Sequence, residues 1–385
     1  MGPPIPRWRW SSLTTPTEVF ADHLEWLTRA GYATVDLERL HRHVAGQASL
    51  PPKSVVLTFD DGYLDNWAFV APLLEKYGCT GTVFVSTEFV DTRDVVRPTL
   101  SDVWSGHTTE SVLQNRGFMS WEELRRVSER GTLSVQSHLT THTWYPVGPK
   151  IVDFHRPGDG HYWLDWNVAP RQKSLYLEDP ERSVVPWGSP VYENAKAIVA
   201  RRYIPGPGEQ EALAEFVHAR GDERFFDSPD WNAQLSECLT QFRRQHGISD
   251  VFESDHDRLA RQTAELADSK TKIETQVGKA VNYLCWPGGG YDDRLRVLAR
   301  EYYRASSLSS HDQPELRNRP GEDPGAIRRW GAPEIGTEPH IEHLGGRYLT
   351  AYLDEFRGVP LARPYRRILK LRSLFSRMAS QKGTG

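Results

Sequence analysis

Residues 54–66 read SVVLTFDDGYLDN. The run Val55, Val56, Leu57, Thr58 and Phe59 has the continuous apolar character of a strand buried on both faces. It ends on two adjacent carboxylates, Asp60 and Asp61, followed by Gly62. Burying an acid is costly unless a partner compensates it. Two acids side by side at the end of an apolar strand therefore need a chemical reason for both.

The segments around this strand repeat one pattern. Val19, Phe20, Leu24, Trp26, Leu27 and Ala30 predict an amphipathic helix over 17–31, closed by Gly31. A helix over 64–77 stops at Gly78, and TGTVFVS (80–86) reads as the next strand. Ser120 with Glu123 forms a capping box for a helix ended by Gly131, and the strand LSVQSH follows. The pattern resumes with a charged helix over 256–277 and the strand VNYLCW. A helix near 293–302, strands at 304–308 and AIRRW, and a helix over 340–356 complete it. Strand and helix in alternation imply an α/β fold with parallel strands.

The block 143–250 interrupts that alternation with aromatic and Pro-rich sequence, including YWLDWN and VVPWGSPVY. It is too long for a loop and reads as an insertion that shapes a substrate cleft. Trp163, Trp166 and Trp187 are its candidate sugar-stacking residues, the alternative being that they form the insertion's own core. The divisions expected are 1–142 and 256–360 for the two parts of the α/β unit, 143–255 for the insertion, and 361–385 for a basic amphipathic tail. Within that tail, 363–378 has two readings. It docks Ile368, Leu371, Leu374 and Phe375 on the core, or it makes weak contact with an anionic membrane surface.

Composition narrows the classes further. Formal net charge is −4, which gives no general argument for nucleic-acid binding. Cys79, Cys238 and Cys285 are widely spaced, so free buried thiols are expected in place of disulfides or a cysteine zinc site. No stretch has signal-peptide or membrane-span character. A cytoplasmic location is the expectation for the sequence as it stands, and an extracytoplasmic one if the natural N-terminus lies further upstream.

A second motif gives Asp60 and Asp61 their reason. His138 and His142, in SHLTTH, stand four apart at the end of another predicted strand. On a helical turn that spacing puts both imidazoles on one face. Strand ends build active sites in such folds. Two imidazoles and a carboxylate make the three-ligand set of a catalytic zinc site. One Asp is then a ligand and the other is free to act as a base. A third element, Pro287-Gly288-Gly289-Gly290, follows the strand VNYLCW and allows backbone N–H groups to approach a substrate closely.

With TFDDG (58–62), the His138/His142 pair and WPGGG (286–290) in this order, the chain resembles the polysaccharide deacetylase family. This is the NodB-homology domain of carbohydrate esterase family 4. The resemblance covers 17–142 and 256–332 and is nearest the branch that deacetylates poly-N-acetylglucosamine exopolysaccharide. It implies a distorted (β/α) barrel with a large insertion, and zinc or another divalent transition metal as cofactor. It also implies hydrolysis of N-acetyl groups on an amino-sugar polymer or glycoconjugate. By motif, Asp60 corresponds to the catalytic base, Asp61, His138 and His142 to the metal ligands, and Gly288 to the backbone donor for the oxyanion.

Three departures stand out. Leu139 replaces the usual Ser or Thr after the first His. Cys285 occupies the place of the Arg that orients the base, leaving Arg328 or Arg329 as substitutes. The usual motifs that supply a catalytic-acid His are absent. His311, after a predicted strand, is the leading candidate, ahead of His340 and His343, with His155 or His161 as donors from the insertion. His23 lies in the first amphipathic helix and reads as structural. The rival readings are a carbohydrate-binding protein without turnover and a different amide hydrolase, such as a deformylase, on the same scaffold.

Overall fold

The computed structural model describes residue 2 and residues 14–178, 182–308, 317–335 and 341–382, with side chains to residue 374. Its centre is a sheet of six parallel strands. These are β1 (Leu57–Phe59), β2 (Gly81–Val85), β3 (Leu133–Ser137), β4 (Tyr283–Leu284), β5 (Ala305–Leu308) and β6 (Ala326–Arg328). They lie in chain order across the sheet, each bonded to the next. Ala33–Thr34 extends the row beside β1 by pairing in parallel with Ser54–Val55. Parallel strands in chain order, joined by helical crossovers, trace an open arc of a barrel. The expected α/β distorted barrel with an insertion is borne out.

The strands follow from their sequences. GTVFV of β2 is buried at every position, as a strand covered on both faces requires. Gly81 lets the strands close up: a Cβ there would lie 2.9 Å from the Phe59 ring and 3.2 Å from Leu133. Leu64, Trp67, Val83, Val85, Leu124, Leu133, Leu266, Leu284 and Trp286 fill one core between sheet and helices. β4 is shorter than the expected 281–286 strand. The side-chain carbonyl of Gln136 takes the N–H groups of Asn282 and Tyr283, both at 2.9 Å.

Two helices differ from expectation. The helix expected over 64–77 is a π turn, Asn66–Val70, followed by an α-helix, Ala71–Lys76. Pro72 has no N–H to give to Ala68, which accounts for the widened turn before it. The helix expected from 340 starts at Gly346. Before it, Glu342–His343 pairs antiparallel with Glu334–Ile335. Gly346 then packs on the first helix, where a Cβ would meet the Asp22 carbonyl at 2.3 Å.

Residues 144–196 return through a long antiparallel pair, Trp144–Phe154 with Pro190–Lys196. Helices Glu209–His218 and Trp231–His246 pack behind it around Phe154, Leu213, Val217, Leu235 and Leu239. A second aromatic cluster, Phe89, Phe118, Trp166 and Leu177 with Tyr63 and Trp144, ties this segment to the barrel loops. Trp166 belongs to that core and is 7% exposed, so it is not a stacking residue. Trp163 and Trp187 are partly buried in the two clusters.

The tail forms a helix, Ala362–Lys382. It docks differently from the expected face. Leu369 packs on the cluster of Ile335, Leu344 and Tyr348, and Arg366 bonds Glu355 and the Tyr348 hydroxyl. Ile368, Leu371 and Leu374 are exposed instead. The side chain of Phe375 lies outside the described residues. Among the described residues, no helix is long and apolar enough to cross a membrane.

Candidate active site

Asp60 directly follows β1 and His138 directly follows β3, so both leave the sheet at its carboxyl edge. Neighbouring side chains on a continuing strand face opposite sides. Here Asp61 adopts φ +68°, and that left-handed turn brings both acids to one site. Ligand atoms of Asp61, His138 and His142 lie within 4.8 Å of one another, as do those of Asp60, His138 and Cys285.

Asp61 Oδ1 is 3.2 Å from Nε2 of His138 and 3.2 Å from Nε2 of His142. Nδ1 of His138 faces the Cys285 carbonyl at 2.8 Å and must donate its proton there. In the neutral ring Nε2 is therefore the lone-pair nitrogen, and it points at Asp61. Asp61 Oδ1 is buried with no well-formed hydrogen bond. A buried carboxylate oxygen facing two imidazole nitrogens without such a bond is an arrangement that a cation completes. One carboxylate and two imidazoles fit a zinc-like ion with room for a further ligand. Burial pushes His142 down to about 4 against the pull of Asp61, whereas at His138 burial is outweighed by Cys285 and Asp61, which raise it well above its ordinary value. Burial also opposes ionisation of Asp61, but His142, His138 and the Tyr63 hydroxyl hold it at about 2.

The two histidines do not share a helical turn, contrary to the spacing argument. Leu139 has φ +61° and His142 φ +37°, so the segment between them is an irregular loop. Its backbone is held from outside. A carboxylate oxygen of Glu265, on the helix Asp255–Val277, accepts the N–H groups of Thr140 at 3.0 Å and Thr141 at 3.2 Å. Lys173 Nζ donates to the Thr141 carbonyl at 2.5 Å and pairs with Glu88. Leu139 is buried in the main core, where a hydroxyl residue would lack solvent.

Asp60 stands beside this cluster with a different partner. Arg329, just past β6, places Nη2 3.0 Å from Oδ1 and 2.9 Å from Oδ2 of Asp60. Its Nη1 contacts Sγ of Cys285, which itself lies 3.6 Å from Asp60 Oδ2. Burial raises the Asp60 carboxyl, but the charge and hydrogen bonds of Arg329 together with His138 outweigh it and hold the group below the usual carboxylate range. Of the two substitute arginines, Arg329 reaches the acid. Arg328 pairs with Glu322 at 2.8 Å.

Gly288 lies in a tight turn, Pro287–Gly289, with φ +52°. Gly289 and Gly290 spend their N–H groups closing it on the Trp286 and Pro287 carbonyls, both at 3.0 Å. Lys196, at the end of the insertion's second long strand, packs over this turn. Its ammonium also stands 4.3 Å from the centre of the Trp144 ring, which adjoins His142 at 6.0 Å between ring centres.

The other histidines are accounted for differently. His23 bonds the Leu344 carbonyl at 2.6 Å. His155 spends both ring nitrogens on Asp159 and Ser183, each at 2.8 Å, and His161 faces Asp153 at 2.9 Å. His343 sits in the short antiparallel pair. His311 and His340 lie outside the described residues. Sequence reasoning missed Lys196, Trp144, Tyr63 and Glu265. Trp144 carried a signal, two residues beyond His142. So did Tyr63, two residues beyond Asp61, whereas Lys196 and Glu265 act across long separations that no local motif marks.

The α/β half-barrel thus gathers acids and imidazoles at its strand ends. Residues 47–157 match the polysaccharide deacetylase family, so the resemblance drawn from the motifs is borne out. The YxkH protein of Bacillus subtilis (strain 168), which carries a polysaccharide deacetylase designation, is 27% identical over 132 residues. That alignment spans 34% of this chain and 39% of YxkH. A poly-β-1,6-N-acetyl-D-glucosamine N-deacetylase of Escherichia coli (strain K12) is also 27% identical over 132 residues, 34% of this chain and 18% of that protein. The chain thus aligns with well under half of either relative. Among solved structures, a de-N-acetylase from Aggregatibacter actinomycetemcomitans shares the fold with a TM-score of 0.50. It is 17% identical, with 82% of this chain and 84% of that one covered.

Proposed function

We propose that the protein is a metal-dependent hydrolase that removes N-acetyl groups from an amino-sugar polymer or glycoconjugate. The observation that carries this reading is the division of labour between neighbours. Asp61 faces two imidazole nitrogens at 3.2 Å, while Asp60 is held apart by Arg329. A zinc-like ion held by Asp61, His138 and His142 would polarise the acetamide carbonyl and make water more acidic. Asp60, kept ionised by Arg329, takes the proton of the attacking water. Gly288, whose N–H the turn does not use, donates to the carbonyl oxygen as it gains charge. His311 is the proposed donor to the leaving amine.

The test is product analysis. Zinc-loaded protein incubated with N-acetylglucosamine oligomers should release acetate, and chelation followed by zinc return should abolish and restore that release. Formate from N-formyl substrates with no acetate from N-acetyl ones would select the deformylase-type alternative. Metal retention with no turnover of either would select the binding protein.

A second, separate reading concerns the tail. Ile368 and Leu371 are about half exposed, at 48% and 53%, on a helix with Arg363, Arg367, Lys370 and Arg372. We propose weak contact with an anionic membrane surface. Flotation with vesicles rich in anionic lipid, lost in Leu371→Asp and absent with neutral vesicles, is the expected result.

A further inference from the structure

The glycines of the third motif have a neighbour that the motif does not explain. A Cβ built on Gly288 would lie 2.0 Å from Nζ and 2.7 Å from Cε of Lys196. One built on Gly290 would lie 2.8 Å from Cβ and 2.9 Å from Cγ of the same lysine. Both glycines are therefore spaces that Lys196 fills, and its ammonium rests against the Gly288 backbone. The lysine comes from far along the chain. Antiparallel pairing sets Lys196 opposite Trp144, two residues after His142, and the Trp144 ring supports the ammonium from the other side. Lys196 forms no salt bridge among the described residues, although Asp61 acts on it electrostatically. A partly buried cation beside an acyl-transfer turn, with no carboxylate bonded to it, is positioned to serve an anion that arrives with the substrate.

We propose that Lys196 is a further catalytic residue, an oxyanion donor that joins the Gly288 N–H at the acetyl carbonyl. The proposal rests on the deacetylase reading for its reaction, but the anion site it describes is a property of the turn and the lysine. Attack of water on the acetamide carbon opens the C=O π bond and puts the electron pair on oxygen. The ammonium of Lys196 donates a hydrogen bond to that oxygen and keeps its proton. When the C–N bond breaks, the π bond re-forms, acetate departs, and the amine takes its proton from the separate acid. No oxidant or other co-reactant is needed. The arrangement also explains the glycines at two of the three positions after Pro287: side chains at Gly288 and Gly290 would displace the lysine.

The experiment uses the full chain loaded with zinc, with acetate itself as the probe. Acetate affinity is measured by calorimetric titration of wild type, Lys196→Met and Gly288→Ala, alongside kcat and KM for N-acetylglucosamine oligomers. Lys196→Met keeps the apolar stem against the glycines and removes the charge. It should weaken acetate binding about tenfold or more and lower kcat by about 10²–10³-fold with KM little changed, as expected for a lost oxyanion donor. Gly288→Ala, whose methyl group takes the place of the ammonium, should reproduce both effects. The double variant should be no worse than either single one. Equal acetate binding and kcat within threefold in a Lys196→Met protein of wild-type melting temperature would overturn the proposal. If the wild type releases no acetate from any N-acetylated sugar, the deacetylase reading fails by itself. The titration still decides the lysine: acetate binding that depends on Lys196 supports the anion site, and binding that does not depend on it refutes the site.

Discussion

Arg329 Nη2 lies 3.0 Å and 2.9 Å from the two oxygens of Asp60, although 269 positions separate the residues in the chain. β6 delivers Arg329 to the site where the row of strands ends, and β1 delivers Asp60. Between them sits Cys285, whose Sγ contacts Arg329 Nη1 and lies 3.6 Å from Asp60 Oδ2.

Arg329→Met should therefore leave metal content intact and lower kcat/KM by about 10–100-fold, the usual cost of losing a group that orients a catalytic residue. With the guanidinium gone, the largest influence opposing burial at Asp60 is lost and its pKa rises, His138 alone still acting against burial. The acid limb of the pH–rate profile should then move to higher pH. An unchanged limb would separate Arg329 from the base.

Asp61→Asn and His142→Ala should each strip the metal, because removing one of three protein ligands leaves a poor site. Elemental analysis of the purified variants is the measurement. Full occupancy in both would contradict the ligand assignment.

Much of this was legible in the sequence, and the limits have physical causes. The apolar strand ending in Asp60-Asp61, the His138/His142 pair and the Gly turn are local patterns. Each sits at the end of an element whose periodicity announces it. The imidazole pair was found by its spacing, but the helical turn inferred from that spacing is not there. Leu139 and His142 take positive φ, which only the external grip of Glu265 and Lys173 on the loop explains. Lys196 and Glu265 could not be read because their roles come from packing across the fold. Trp166 looked like a ligand-stacking residue because core and cleft aromatics have the same composition.

The insertion has its own pH dependence. Burial raises the Asp159 carboxyl, but His155 and the N–H groups of His161 and Arg156 outweigh it and hold the group below its ordinary value. A depressed folded pKa contributes stability that is full above the unfolded value, about 3.9, and is lost as pH falls through the folded value. Melting temperature should therefore fall steeply below about pH 4 in wild type. Asp159→Asn should melt lower at neutral pH and lose less on acidification. Parallel curves for the two proteins would remove Asp159 from the account.

His311 is the proposed general acid, motivated by the need of the leaving amine for a proton and by its place after β5. A general acid works only while protonated, so activity falls as pH rises through its pKa. His311→Ala should lose that alkaline limb and about 10²–10⁴-fold in rate while retaining metal. Wild-type rates with an unaltered profile would assign the acid elsewhere.

The central claim is that adjacent acids divide the chemistry, Asp61 holding a metal and Asp60 moving a proton. Acetate release from N-acetylglucosamine oligomers by zinc-loaded wild type and Asp60→Asn, with zinc content measured on the same samples, tests it most directly. The account predicts release by the wild type and a loss of about 10²-fold or more in Asp60→Asn at unchanged zinc content. Loss of zinc from Asp60→Asn, or acetate release equal to wild type, would contradict it.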